Sequence, residues 1–248
     1  MPVGTVEGHG DADAAVLQIG GGPAGIAISI DGNGRRVACD PYLGSVEAVR
    51  GFSLEVGAGE MVGLAGRNGA GKTTVMRTIM GITKLTQGRL HFDGNDITGL
   101  EVHKRASLGI GYMPETRGLI PELTVEENIL LPTWVTSVDG AARLKVVYEI
   151  MPELATMSDR KALLLSGGQQ KMVALGRALT VGTRLLLLDE PFEGVAPALA
   201  QRLSDVISAL KSDALSIVMS MSELTHSHTV LDHVWGIERG ANVVAEAA

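Results

Sequence analysis

The chain is patterned as short apolar runs set apart by turn residues and by stretches whose apolar positions recur every three or four residues. Mainly apolar runs stand at 61–65, 108–113, 185–188, 215–219 and 234–237. Each has the length of a strand, and the unbroken leucines at 185–188 fit a parallel strand buried on both faces. Helical patterns lie between them. Val75, Met76, Ile79 and Met80 share a face, as do Leu144, Val147, Tyr148 and Met151. Met172, Leu175 and Leu179 form a third such face, and Leu199, Leu203, Val206, Ile207 and Leu210 a fourth. Alternating runs at 26–30, 35–39, 46–56 and 88–92 read as strands with turns at 31–34, 57–60 and 93–94, and 234–237 returns through 242–245 as a closing hairpin. Thr124 with Glu127 makes a capping box for a short helix that Pro132 stops, Asp139 caps the next helix, and Pro197 opens another at its first turn. The predicted class is α/β: a mostly parallel sheet, an N-terminal antiparallel β-subdomain, and a helical lobe over about residues 116–168.

Between the apolar run at 61–65 and the helix carrying Val75 lies Gly66, Arg67, Asn68, Gly69, Ala70, Gly71, Lys72 and Thr73, followed by Thr74. This is G-x-x-x-x-G-K-T in the strand–loop–helix context that makes it a phosphate-binding loop, so the parallel sheet is expected to be a P-loop NTPase core. Glycines let successive backbone N–H groups turn toward phosphate oxygens, and the helix N-terminus adds about half a positive charge. Lys72 is placed to reach the β- and γ-phosphates and the Thr73 hydroxyl to sit on Mg²⁺. The leucine run ends in Asp189 and Glu190, a carboxylate pair at a sheet edge. Asp189 is suited to hold Mg²⁺, and Glu190 to orient or deprotonate the attacking water. Glu115 stands at the carboxyl end of the strand at 108–113, the edge where ligands of open α/β sheets collect, and is a further candidate metal ligand. Ser166, Gly167, Gly168 and Gln169 open a helix. S-x-x-Q is by itself a capping box, yet paired glycines weaken a first turn and would let a phosphate approach bare backbone. Tyr42 either stacks on an adenine or packs at a strand edge.

Composition narrows the classes. A net charge of −7 and 3% aromatic residues argue against a nucleic-acid partner, which would call for a basic stripe and stacking platforms. Cys39 is the only cysteine, so an internal disulfide framework and a CxxC metal site are excluded. No run approaches a membrane span, so any membrane component is expected from another subunit. The first forty residues read as a separate extension: a loose tail over 1–14, then glycines at 20–25 that match G-x-G-x-x-G. That fingerprint needs a following helix, whereas 26–30 alternates as a strand, so a glycine-led hairpin is expected instead. His226, His228 and His233 lack a matching carboxylate or cysteine framework and are expected at the surface or in packing.

GRNGAGKTT at 66–74, LSGGQ at 165–169 and LLLLDEP at 185–191, in that order, resemble the ATP-binding-cassette ATPases. GYMPE at 111–115, LTVEEN at 123–128, VYEIMPEL at 147–154 and GVAP at 194–197 are similar to the subunits that power branched-chain amino acid importers. The resemblance covers about residues 42–245, and the cassette domain is taken as 41–248. It implies an ATP hydrolase working as a head-to-tail dimer with a second cassette subunit. ATP would lie between the phosphate loop of one copy and residues 166–169 of the other. It also implies membrane permease subunits driven through the segment near Glu115 and the helical lobe, a periplasmic solute-binding protein indirectly, and a peripheral place on the cytoplasmic face of the inner membrane. An importer for urea or amides is an alternative. Counting back from Asp232 puts Ser222 where cassettes carry a longer switch residue that touches the γ-phosphate. The expectation is therefore either a slowed hydrolase or a nucleotide-gated subunit that barely hydrolyses, with Ser222 across the γ-phosphate from Lys72.

Overall fold

The computed structural model describes residues 26–30 (as backbone), 49, 51–85, 87–212, 214–222 and 231–243. Its strands are β1 (Ile26–Ile30), β2 (Phe52–Val56), β3 (Met61–Ala65), β4 (Arg89–Phe92), β5 (Asn95–Asp96), β6 (Ile110–Met113), β7 (Leu185–Leu188), β8 (Ser216–Met221), β9 (His233–Glu238) and β10 (Ala241–Val243). Its helices are α1 (Lys72–Met80), α2 (Val102–Ser107), α3 (Val125–Leu130), α4 (Gly140–Ile150), α5 (Pro152–Ala155), α6 (Gly167–Val181) and α7 (Pro197–Ala209), with 3-10 turns at Leu131–Val135 and Ala162–Leu164.

Two sheets form. The larger runs β10-β9-β3-β8-β7-β6, parallel except where β10 folds back on β9. The smaller, β2-β1-β4-β5, is antiparallel. The α/β architecture with a mostly parallel sheet, an antiparallel part and an inserted set of helices is thus present. The leucines of β7 show why four apolar residues stand in a row. Side chains alternate across a sheet. Leu186 and Leu188 join the core formed with α3, α4, α6 and α7, while Leu185 and Leu187 join the core formed with α1, β2 and β4. Both faces are covered, so neither set can be polar.

Three features differ from the sequence reading. β1 pairs with β2 (Ile28 opposite Leu54) and with β4 (Ile28 opposite Leu90), so residues 26–30 sit inside the antiparallel sheet and a division at residue 40 would cut through it. The physical reason is that β2 and β4 each need a ladder partner and do not pair with each other. Pro132 does not simply stop α3; it sits in the first turn of a 3-10 helix, where its missing N–H costs nothing. Helix α2 was not anticipated. Its Arg105 is buried and donates to the carbonyls of Thr78 and Ile79 at the end of α1 (2.8 and 2.7 Å) and to those of Thr98 and Leu100 (2.9 Å each). The expected returning strand at 35–39, the tail, Tyr42, Cys39, His226 and His228 lie outside the described residues. His233 is described, and it is exposed on β9.

Candidate functional site

Strand β3 delivers the chain to the glycine loop, and α1 carries it away. A Cβ at Gly66 would run into the Ile237 carbonyl of β9, so this position must be glycine for the loop to lie against that strand. Gly69 (φ 80°) and Gly71 (φ 112°) take left-handed backbone conformations, which other residues enter only with strain. Ala70 is buried, Arg67, Asn68 and Gly69 are exposed, and Thr74 is half-buried with its carbonyl accepting from Thr78 Oγ1 at 2.8 Å.

Lys72 is 5% exposed and curls back into the loop. Its Nζ lies 2.5 Å from the Gly66 carbonyl, 3.2 Å from that of Arg67, 3.0 Å from Glu190 Oε1 and 3.2 Å from Ser222 Oγ. Ser222 Oγ is also 2.5 Å from Glu190 Oε1 and 2.8 Å from the Asn68 carboxamide oxygen, and its N–H donates to Glu190 Oε2 at 3.2 Å. One hydroxyl carries one proton, and the short distance assigns it to the carboxylate. Ser222 was expected across the γ-phosphate from Lys72. In the described structure the two side chains touch, since Ser222 follows β8, which lies beside β3 and so next to the loop that β3 enters.

Asp189 is fully buried, and its described partners are hydroxyls: Ser220 Oγ at 2.6 Å, Thr73 Oγ1 at 3.2 Å and Tyr112 at 3.2 Å. A buried carboxylate without a cationic partner among the described residues has a donor set that a divalent cation would complete, so Thr73 and Asp189 fit Mg²⁺. Burial, with the Asp189 charge beside it, pushes the Tyr112 phenol well above its usual range, so it stays protonated as a donor. Glu115 is exposed on the loop after β6, and among the described residues no hydrogen bond or ion pair ties it to Thr73 or Asp189. No group of three or more His, Cys, Asp or Glu occurs among the described residues that could hold a metal by itself.

Ser166 and Gln169 form the reciprocal capping box of α6: Gln169 N donates to Ser166 Oγ (3.3 Å) and Ser166 N to Gln169 Oε1 (3.0 Å). The two glycines have separate reasons. Gly168 is crowded by Leu199 of α7, where a Cβ would collide, while Gly167 is exposed beside the Arg117 guanidinium.

Sequence reasoning missed three residues at this site. Ser220 is fully buried, donates to Asp189 and accepts from the backbone N–H of Glu190 (2.9 Å). Its signal is a hydroxyl that interrupts the apolar residues of β8 between Met219 and Met221. Tyr112 gives none beyond its place in β6. Lys171 is a charge on the buried face of α6, and that break in the apolar pattern is visible in the sequence.

Residues 49–193 match the ABC transporter family model. The chain is 33% identical to the high-affinity branched-chain amino acid transport ATP-binding protein BraG of Pseudomonas aeruginosa, over 82% of this chain and 88% of that protein. It is 32% identical to the lipopolysaccharide export system ATP-binding protein LptB of Haemophilus influenzae, over 79% of this chain and 83% of that one. Among solved structures, the ADP conformation of MJ1267, an ATP-binding cassette of an ABC transporter, superposes with a TM-score of 0.73 at 27% identity, covering 90% of each chain.

Proposed function

The chain belongs to the ABC transporter family of ATP-hydrolysing cassettes, and from that premise we propose that it energises uptake of branched-chain or related amino acids through a membrane permease. The observation that carries the catalytic part is the meeting of Lys72, Glu190 and Ser222 within 2.5–3.2 Å at the mouth of the glycine loop. In this reading the loop N–H groups and Lys72 hold the β- and γ-phosphates of ATP. Thr73 and Asp189 hold Mg²⁺, which neutralises charge on the phosphates. Lys72 cannot serve a phosphate while it is committed to Glu190. Incoming ATP takes over the ammonium, and Glu190 is left with Ser222 as its donor. Released from that ion pair, the Glu190 carboxylate is free to accept the proton of the attacking water. Residues 166–169 face a second copy, whose nucleotide they complete.

Coupling to a permease is supported by the helical lobe. Trp134 (68% exposed) and Val135 stand out from the 3-10 turn after α3, with Leu163, Leu164 and Ile120 also exposed. Arg177 of α6 donates to the carbonyls of Arg117 and Gly118 (2.5 and 2.7 Å), and Arg117 donates to Gln170 (3.1 Å), so the loop after β6 moves with α6. Among the described residues no helix is long and apolar enough to cross a membrane, in keeping with a peripheral subunit that borrows its membrane part. The similarity to LptB, nearly equal to that to BraG, favours lipopolysaccharide export as the second reading. The two separate in vesicles holding the chain with its co-purified permease. ATP-dependent accumulation of labelled leucine or valine supports import; ATP-dependent release of lipopolysaccharide with no amino acid uptake replaces it.

A further inference from the structure

Lys171 is 2% exposed in the second turn of α6, and among the described residues it makes no ion pair with a carboxylate. Its ammonium donates to three carbonyls of one short segment: Glu190 (2.6 Å), Pro191 (3.2 Å) and Glu193 (2.5 Å). Burying a charge to hold backbone is costly, and burial pushes this ammonium down to about 8, with Arg117 lowering it further and Glu193, Glu190 and Glu115 opposing. What it holds is unusual. Glu190 has φ 47°, a left-handed conformation that a side-chain-bearing residue keeps only when its surroundings impose it. The N–H of Glu190 is fixed by Ser220 and its carbonyl by Lys171, so the residue is clamped from both sides.

We propose that Lys171 is a positioning residue that aims the Glu190 carboxylate by holding residues 190–193, and that it links this carboxylate to the helix start at residues 166–169. The proposal rests on the reading above, in which Glu190 acts on the chain's own nucleotide and residues 166–169 act on the partner's. On that arrangement one side chain joins the two ATP sites through α6, and a shift of the helix at one nucleotide is felt by the base at the other. The phosphate loop lies on different elements, and a misaimed Glu190 would only release Lys72 more readily, so ATP binding is not weakened by loss of Lys171.

The test uses the chain assembled with its permease. Lys171→Met keeps the stem and removes the donors. Turnover at saturating ATP is expected to fall about 10- to 100-fold, the scale of a misaimed catalytic group, with the ATP Kd within about twofold of wild type. In a double-mutant cycle with Ser220→Ala the two losses should combine to less than their product, since both act on the Glu190 backbone. Turnover within twofold of wild type, ATP affinity falling in step with turnover, or losses that simply multiply would overturn the proposal. If Lys171→Met does not fold, Lys171→Leu, which also removes the donors, is read by the same criteria. Glu190→Gln is measured alongside: its turnover surviving would sink the underlying reading, whereas its loss beside a normal Lys171 variant would sink the Lys171 role alone.

Discussion

Replacing Ser222 by alanine tests whether this short residue works in the site or merely stands where a longer one is missing. Its hydroxyl is 2.5 Å from Glu190 Oε1, and its N–H reaches Oε2 at 3.2 Å. Once ATP has taken over Lys72, these are the two contacts left to hold the carboxylate among those described. Alanine keeps the N–H and deletes the hydroxyl. Hydrogen bonds to charged groups contribute about 1.5–3 kcal/mol. If that is lost from the orientation of the base, the rate falls about 10- to 100-fold, since 1.4 kcal/mol is a factor of ten. KM for ATP should change little, because the loop backbone, the Lys72 ammonium and the Thr73 hydroxyl all remain, and Lys72 gives up its contact with Ser222 to the phosphates in any case. The assay is steady-state phosphate release by the assembled complex over a range of ATP concentrations, with Ser222→Gln as the companion variant. Glutamine lengthens the side chain toward the γ-phosphate but gives up the short bond to Glu190, so it should be no faster than wild type. A Ser222→Ala enzyme within twofold of wild type, or a Ser222→Gln enzyme that is clearly faster, would refute the reasoning.

Three other outcomes are expected. Gly66→Ala forces a methyl group against the Ile237 carbonyl, so thermal denaturation should show a loss of about 1–3 kcal/mol or displacement of the loop with loss of ATP binding; an unchanged melting point with normal binding would contradict it. Ser220→Ala strips Asp189 of its shortest donor and leaves the buried N–H of Glu190 unpaired, a cost of about 1–3 kcal/mol measurable by denaturant unfolding. The third concerns pH. Lys171 titrates at about 8 in the folded chain and at its ordinary 10.5 when unfolded. Between these values the unfolded chain binds more protons, so the Lys171 contribution to stability rises with pH through that window, is complete above it, and is lost as pH falls through about 8. Unfolding midpoints across pH 7–10 should show this rise in the wild type and not in Lys171→Met.

The chemistry of the loop and of the leucine strand was legible because it is local. Eight consecutive residues carry the phosphate loop, and the parity of Leu185, Leu186, Leu187 and Leu188 needs only a sheet covered on both faces. What escaped is non-local. Residues 26–30 alternate like a strand, but nothing in that alternation names β2 and β4 as partners, since pairing depends on which edges are free. Ser220 and Lys171 each break an apolar pattern, and the break marks a buried polar group without saying what it meets. Their partners, Asp189 and the carbonyls of residues 190–193, lie 31 and 19–22 positions away along the chain. Ser222 shows the same limit. Counting back from Asp232 located it at the end of β8 but could not show that Lys72, free to curl, would meet it there.

The central claim is that the carboxylate of Glu190 drives ATP hydrolysis from the loop that Lys72 guards. The direct measurement is steady-state phosphate release by the chain assembled with its permease at saturating Mg-ATP, wild type beside Glu190→Gln, with ATP affinity measured on both. The wild type should turn over. The variant should lose at least about 10²-fold in rate and bind ATP at least as tightly, because Lys72 no longer has a carboxylate to give up. Equal turnover in the two proteins, or a wild type that closes on ATP without releasing phosphate, would contradict it.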